Sequence, residues 1–480
     1  MSKGTYCMLS TRLLHPKRLT QVPSFGLPKQ TESFFFFQID QVDAFQTSLA
    51  NLVPLITTAE QTMSNISKIR SIKVKNNIEM FAGDGETVHP AVVTVRGVNI
   101  AFSAKGLQRL NFMDDLKESL FTDGMKNGAA ALGDIGTQRD GSFVPDWDPT
   151  FMGEIHGVTL VTGESRDTVD QELADVKKIL SGSVKEISTV TGDVRPGQEA
   201  GNEHFGYKDG VSDPSVQDVD AINPGQTVID QGVALLGRGI DASNGRPDWA
   251  LDGSFMAFRK LPQLVPEFEK FLLDSAGTQE AADLMGARMV GRWKSGAPIV
   301  NNPTEDDPTL GADPTRNNDF KFTAGNQSAC PFAAHMRKMN PRGDLSEGAI
   351  RSHMVLRRGI PYGPEVSSDE KASNTTSQER GLLFVCYQTS LSKGFSFLQK
   401  NWANGQNFPQ SGAGFDPLIG QTNSGGPRTM SGAFISNVTQ PLNLVAQFVN
   451  SKGGEYFFSP SIPTLRDVFT KAANTTSRGR

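Results

Sequence analysis

The sequence is poor in cysteine, histidine, tyrosine and tryptophan. Its 480 residues include three Cys, six His, five Tyr and four Trp. The cysteine count is odd, Cys7 lies near the N-terminus and Cys386 lies inside an apolar run, so no disulfide framework is predicted. The histidines show no His-x-x-x-His spacing and the cysteines no close pair, which argues against a non-haem metal hydrolase.

Long apolar runs and an excess of one charge are also absent. No stretch reaches the roughly 20 apolar residues that span a bilayer, and the run Phe34–Phe37 has only the length of a strand. Lysine and arginine number 47 and aspartate and glutamate 52, so the formal net charge is −5. The composition predicts a soluble globular enzyme of about two domains, without a membrane or nucleic-acid partner.

The N-terminus is basic and contains no acidic residue. Residues 1–31 carry five lysines and arginines, but they lack the apolar segment of a secretory signal. We predict a basic tail over residues 1–31, able to remain disordered; a transit peptide and an incorrectly assigned start stay open as alternatives. The compartment stays open for the same reason, and a cytoplasmic location is compatible with the sequence.

Strand-then-helix patterns occur twice in each half of the chain, which predicts an α+β fold of two ferredoxin-like domains. The paired segments are 33–39 with 42–55, 157–161 with 168–180, 254–258 with 264–273, and 381–387 with 395–402. The turn-rich segment at Asn223 suggests a boundary near residue 225, giving domains 32–225 and 226–480. Such pairs also occur in unrelated α+β proteins, so the repeat alone leaves other folds open.

Three short motifs carry the chemistry. Cys-Pro-Phe-Ala-Ala-His-Met-Arg-Lys places His335 between small apolar residues and cations, and Arg-Arg-Gly-Ile-Pro-Tyr-Gly-Pro-Glu begins at Arg357. Upstream, Gly206-Tyr-Lys-Asp209-Gly210 holds a carboxylate between glycines, where the backbone can turn sharply and approach a flat group. Together they indicate an iron-binding histidine, an arginine partner and a nearby carboxylate.

These motifs, in this order, resemble those of fungal dye-decolorizing peroxidases, and the similarity covers roughly residues 27–465. The resemblance implies antiparallel sheets and one haem b per chain, enclosed mainly by the C-terminal half. It implies that hydrogen peroxide forms a ferryl intermediate that oxidises bulky aromatic reductants one electron at a time; these include anthraquinone-type dyes, phenolics and lignin-like compounds. A monomer or homodimer and an extracellular location are also implied. A haem-binding or haem-handling protein with little turnover is the alternative.

The resemblance also assigns the reacting side chains. His335 corresponds to the proximal iron ligand, and Asp209 and Arg357 to the base and the cation that cleave the peroxide O–O bond. Asp416 is our candidate for the hydrogen-bond partner of His335, with an ordinary Asp-Pro turn as the equal alternative. Because a carboxylate stays ionised in acid, an acidic activity optimum is expected.

Further residues are expected around the haem or between the haem and the surface. Each of them has a plain structural role as its alternative. Trp402 lies between polar neighbours, so an exposed indole is predicted for electron transfer, and Tyr362 on the Arg357 loop is the second candidate. The expected haem contacts are Gly206, Gly210, His204, Arg337, Leu382 and Phe384, of which His204 and Arg337 are expected to pair with the propionates.

Overall fold

The chain folds around one large antiparallel sheet, to which both halves contribute. The structure, a computed structural model, describes residues 29–81 and 95–470. The strands are β1 (Thr31–Ile39), β2 (Arg96–Phe102), β3 (Gly136–Arg139), β4 (Ser142–Pro145), β5 (Gly157–Gly163), β6 (Val184–Asp193), β7 (Ser215–Val216), β8 (Val228–Ile229), β9 (Ser254–Pro262), β10 (Leu356–Arg357), β11 (Ile360–Tyr362), β12 (Gly381–Gln388), β13 (Arg428–Met430), β14 (Leu442–Leu444) and β15 (Gly454–Ser459).

Six helices of eight residues or more accompany these strands in the described chain. They are α1 (Val42–Leu52), α2 (Ala59–Phe81), α3 (Met125–Leu132), α4 (Arg166–Leu180), α5 (Val265–Ala276) and α6 (Gln279–Val290). Shorter helices span Ala104–Arg109, Ser119–Asp123, Pro149–Met152, Gln231–Ala234, Pro308–Ala312, His335–Met339, Glu347–Arg351, Ser368–Ser373, Phe395–Phe397 and Ile462–Thr464, the last two continuing into π-helical turns at Leu398–Ala403 and Leu465–Phe469. Short 3₁₀ turns span Val53–Leu55, Gly197–Glu199, Gly239–Asp241 and Asp248–Ala250.

Each half has the strand order of a ferredoxin-like domain. The N-terminal half reads β6-β1-β5-β2 and the C-terminal half reads β15-β9-β12, with β10 and β11 both on the outer edge of β12. In each case the first strand lies between the third and the fourth, and all these neighbours are antiparallel. The predicted fold class and all four strand–helix pairs are therefore confirmed.

The two halves are joined along the edges of their sheets. Strand β2 pairs with β15 through Phe102 and Phe458. At the other edge, β6 approaches β11 so closely that a side chain at Gly192 would lie 2.5 Å from the Pro361 carbonyl oxygen. Both faces of β1 are buried, which explains why its sequence contains a continuous apolar run instead of alternating apolar and polar residues.

The predicted divisions of the chain differ in their outcome. Strand β1 begins at Thr31, and Lys29 already forms an ion pair with Glu32, so the expected tail 1–31 is wrong in its last residues. Residues 1–28 lie outside the described residues. The boundary near residue 225 stays a prediction; β7 and β8 pair in parallel on either side of it. Among the described residues no helix is long and apolar enough to cross a membrane.

Candidate active site

His335 is the first residue of a five-residue helix that is seated on an apolar cluster. Ala333 and Ala334, which precede it, are fully buried, and Met336 packs in the same region. These neighbours fix the backbone of the helix because small side chains allow close packing. The imidazole itself is turned away from this cluster, and 30% of the side-chain surface of His335 remains accessible.

Asp416 holds one nitrogen of this imidazole. Its Oδ2 lies 2.8 Å from His335 Nδ1, while its Oδ1 accepts hydrogen bonds from the backbone N–H groups of Leu418 and Ile419. The expected contact and the Asp-Pro turn are therefore both present. Burial lowers the pKa of His335, but the Asp416 carboxylate outweighs it and the net shift is upward. Nδ1 is thus the donor to Asp416, which leaves Nε2 with a free lone pair that can coordinate a metal.

A second pair joins the two halves of the chain. Arg357 Nη1 donates to Asp209 Oδ1 at 2.6 Å, and Arg357 Nε donates to Asp213 Oδ1 at 3.0 Å. The backbone N–H of Gly210 also donates to Asp209 Oδ1. Burial raises the pKa of Asp209, but Arg357 and this N–H outweigh it and the net shift is downward. Asp209 is therefore a carboxylate that stays ionised in acid.

The two pairs lie near each other. Asp209, Arg357 and His335 keep 40%, 31% and 30% of their side-chain surface accessible. Each member of the Asp209–Arg357 pair also shifts the pKa of His335. A cavity of about 330 Å³ reaches Asp209 and Arg357 between the halves and touches Leu382.

This arrangement fits a haem. An imidazole nitrogen with a carboxylate behind its partner nitrogen is the usual axial ligand of a haem peroxidase. Among the residues that the structure describes, no hydrogen-bond partner of His335 Nε2 is recorded, and its exposed ring surface leaves room for a bound group. Gly210 has a φ of +78°, and a side chain placed there would meet open space.

Arg337 does not bind a propionate, so that expectation is wrong. The residue is fully buried and forms two bonds with the Asp344 carboxylate, Nε to Oδ2 at 2.7 Å and Nη2 to Oδ1 at 2.6 Å. Its remaining N–H groups donate to the carbonyls of Thr323, Asn326 and Cys330. Because every donor already has a protein partner, none remains for a cofactor.

The expectation for His204 is also wrong. Its Nε2 lies 2.9 Å from the Tyr362 carbonyl oxygen, and its Nδ1 is completely buried. An atom that a water molecule cannot reach cannot touch a larger cofactor either. Gly206 turns with a φ of +89°, but its open face packs against the side chain of Lys294. Its predicted haem contact has no support in this geometry.

The two electron-transfer candidates are both buried. Trp402 is 3% exposed, which contradicts the predicted exposed indole, because Phe408 stacks on it with centroids 4.8 Å apart and an angle of 7°. Tyr362 is 7% exposed, and burial together with the Glu379 carboxylate raises its phenol pKa. Phe384, predicted to line the pocket, is half-buried on the strand that carries Leu382.

Sequence reasoning missed three contributors to this region. Asp213 binds both Arg357 and Arg358, and its spacing of four residues from Asp209 was the available signal. Arg195 forms a two-point ion pair with Glu365, which ties the end of β6 to the loop that follows β11. Lys338, which directly follows the predicted haem contact Arg337, is fully buried.

Comparisons with known proteins agree with this geometry. Residues 24–196 match the family model of the DyP dimeric alpha+beta barrel domain, and residues 202–410 match that of the C-terminal part of Dyp-type peroxidases. Dye-decolorizing peroxidase msp1 of Mycetinis scorodonius is 44% identical over 93% of this chain and 86% of its own. The dye-decolorizing peroxidase AauDyP1 of Auricularia auricula-judae is 42% identical over 92% and 84%. A solved mutant of the Pleurotus ostreatus dye-decolorizing peroxidase is 40% identical, with a TM-score of 0.89 and coverage of 96% and 100%.

The fold and the family models that match both halves of the chain define the class of haem-dependent peroxidases. With relatives of this identity over nearly the whole chain, the protein belongs to the dye-decolorizing peroxidase family. Its reaction therefore uses hydrogen peroxide and a reducing substrate.

Proposed function

We propose that this protein binds one haem b per chain through His335 Nε2, mainly within its C-terminal half, and oxidises bulky aromatic reductants with hydrogen peroxide. The observation that carries the proposal is the proximity of two residue pairs, His335 with Asp416 and Asp209 with Arg357, because groups of each pair shift the pKa of a group in the other. When bound, the haem supplies the iron that takes two oxidising equivalents from peroxide.

On the proximal side, Asp416 orients the ligand. By accepting the Nδ1 proton it fixes the tautomer in which Nε2 has a free lone pair, and its negative charge makes the imidazole more electron-rich. An electron-rich ligand stabilises oxidised iron. The backbone N–H groups of Leu418 and Ile419 hold the carboxylate in place, so the geometry needs no rearrangement.

On the distal side, Asp209 and Arg357 divide the work of O–O cleavage. Asp209 accepts the proton of the inner peroxide oxygen and delivers it to the outer oxygen, which leaves as water. Arg357 stabilises the negative charge that develops on the leaving oxygen. Since Arg357 also holds the Asp209 carboxylate at 2.6 Å, peroxide has to enter between these two side chains or displace their contact.

A haem enclosed within the protein would be out of direct reach of a bulky reductant. Oxidising equivalents must then leave through side chains. Trp402 is our first candidate because an indole gives up an electron without first losing its proton. Tyr362 is the second candidate; its raised phenol pKa means that its oxidation needs a proton acceptor, and Glu379 is the neighbouring carboxylate.

The test is the visible spectrum of the haem-loaded protein before and after one equivalent of peroxide, with His335→Ala as the control. We expect a histidine-ligated Soret band that changes rapidly with peroxide and is lost in the control. The rival, a haem-handling protein, predicts a Soret band that peroxide leaves unchanged. Asp209→Asn should slow the change without lowering haem content; normal rates in that variant would refute the distal assignment.

The exit route is tested with a bulky anthraquinone dye. Trp402→Phe should lower dye turnover at least tenfold, whereas Tyr362→Phe separates the contribution of the phenol from that of the aromatic ring. The rate of haem absorbance change with peroxide serves as the control, because it precedes electron transfer from either residue. Undiminished dye turnover in both variants would show that the reductant meets the haem centre by another route.

A further inference from the structure

Lys338 is a lysine without any exposed surface, three residues after His335 on the same short helix. Its Nζ donates to the carbonyl oxygens of Gly405 at 2.7 Å and Trp402 at 3.1 Å. Lysine is almost never fully buried unless it is paired. Here both hydrogen bonds end on a single backbone segment, the segment that carries the indole of Trp402.

That segment begins with a π-helical turn, Leu398–Ala403, and continues to Gly405. The turn closes through the Asn404 N–H, which donates to the Gln399 carbonyl five residues earlier, so the Trp402 carbonyl needs a donor from elsewhere. Lys338 supplies it, and it also donates to the Gly405 carbonyl, which accepts a longer hydrogen bond of 3.3 Å from the Phe408 N–H. Without the ammonium group, the Trp402 carbonyl would lose the donor that Lys338 provides inside the protein, at a cost of about 1–3 kcal/mol.

A second attachment joins the same turn to the proximal histidine. The backbone N–H of Asp416 donates to the Ala403 carbonyl at 2.9 Å, while the Asp416 side chain holds His335 Nδ1. The Trp402 segment is therefore fixed twice, once to the helix of His335 through Lys338 and once to the hydrogen-bond partner of His335. Both links therefore involve the immediate surroundings of His335, the residue that we propose as the iron ligand.

The indole is also enclosed on its ring faces and edges. Phe408 stacks on it, and His353 and Phe397 contact it edge-on at centroid distances of 5.4 and 5.7 Å. This packing defines where the ring lies within the turn, and the links to Lys338 and Asp416 define where the turn lies relative to His335. The distance between donor and acceptor decides the rate of electron transfer.

We propose that Lys338 is a positioning residue for electron transfer: its ammonium group holds the Trp402 segment against the helix of His335 and thereby sets the coupling between the indole and the haem centre. The proposal rests on the role of Trp402 given above. Each indole oxidation passes one electron to the peroxide-oxidised centre and leaves an indole cation radical that keeps its N–H proton. One electron from the aromatic reductant restores tryptophan, and two such events balance one peroxide.

The charge of Lys338 adds a dependence on pH. Burial lowers its pKa to about 8, and Asp416 is the charged group that opposes this shift. Asp416 is itself engaged by His335 through its side chain and by Arg428 through its carbonyl. Below pH 8 the ammonium form makes the stronger, charge-assisted hydrogen bonds. The contribution of Lys338 is therefore present below pH 8 and weakens as pH rises through 8.

The test compares Lys338→Met with Lys400→Met in the haem-loaded protein. Lys400 lies on the same turn but is exposed, so its substitution removes an equal charge without touching these contacts. After one equivalent of peroxide, the Trp402 radical is measured by rapid-freeze electron paramagnetic resonance, and anthraquinone-dye turnover is measured separately. We expect K338M to lose at least tenfold in radical yield and in kcat for the dye, with unchanged haem spectrum and peroxide rate. K400M should equal the unmodified protein.

Three outcomes separate the possibilities. If K338M keeps its radical yield and dye turnover, the positioning role of Lys338 is overturned. If W402F itself keeps both, the electron-transfer role of Trp402 fails, whatever K338M does. Should K338M not fold, Lys338→Gln takes its place, because a side-chain amide is uncharged and shorter than the lysine side chain; radical yield and dye turnover equal to those of the unmodified protein in K338Q would overturn the proposal.

Discussion

Replacing Arg357 by leucine removes the cation beside the reacting peroxide and also changes the carboxylate that works with it. In the native site Arg357 donates to Asp209 at 2.6 Å and to Asp213 at 3.0 Å. Leucine fills a similar part of the space but donates nothing. Among the described residues, Asp213 keeps Arg358 as a hydrogen-bond partner and Asp209 keeps the backbone N–H of Gly210.

Two effects of known sign follow. Loss of one donor to a developing negative charge costs about 10²–10³ in rate, so the second-order rate constant with peroxide should fall by that factor. In addition, burial raises the pKa of Asp209 and Arg357 is the largest influence that lowers it. Without Arg357 this pKa rises, so the acid limb of the reaction moves to higher pH. Arg357→Lys keeps one charge but not the planar fork, and should lie in between.

The assay is stopped-flow absorbance of the haem after mixing with peroxide between pH 3 and pH 8. Equal haem content and an equal resting Soret band in all variants serve as the control that the pocket is still loaded. A rate within threefold of the unmodified protein, with an unmoved acid limb, would refute the reasoning. Arg357 would then be a structural ion pair between the halves and nothing more.

Three other predictions concern acid dependence and stability. Asp209→Asn should slow the peroxide reaction about 10²–10⁴-fold and abolish its acid limb; a limb that persists would belong to another group. Asp344→Ala leaves the charge of Arg337 buried without its carboxylate and should lower the free energy of unfolding by about 3–5 kcal/mol in urea titration, with the haem spectrum unchanged in the folded fraction. Burial and the nearby Arg195 lower the pKa of His204 to about 4. Because the unfolded chain takes up this proton first, the free energy of unfolding should drop by about 3 kcal/mol between pH 6.5 and pH 4, and His204→Gln should remove that drop.

The sequence by itself determined the secondary structure and the reacting side chains that we propose. Apolar runs and helical spacing are local properties, so all four strand–helix pairs could be predicted from neighbouring residues. The motifs around Asp209, His335 and Arg357 are likewise contiguous, and each of them contributes a side chain to one of the two neighbouring pairs. The contact between His335 and Asp416, 81 residues apart, was a candidate from the Asp-Pro segment alone, with an ordinary turn as the equal alternative.

Only the tertiary structure decided which of the other polar and aromatic residues are free to act. Arg337 adjoins His335 in sequence, yet Asp344 and three carbonyls from a preceding loop use all its donors. Trp402 has polar neighbours along the chain, but Phe408 folds back over its indole. Burial depends on which distant segments pack together, and that information lies in no local window of the sequence. For the same reason, the burial of the Lys338 ammonium group could not be predicted from the sequence. It follows from the packing of the His335 helix against the segment of Trp402.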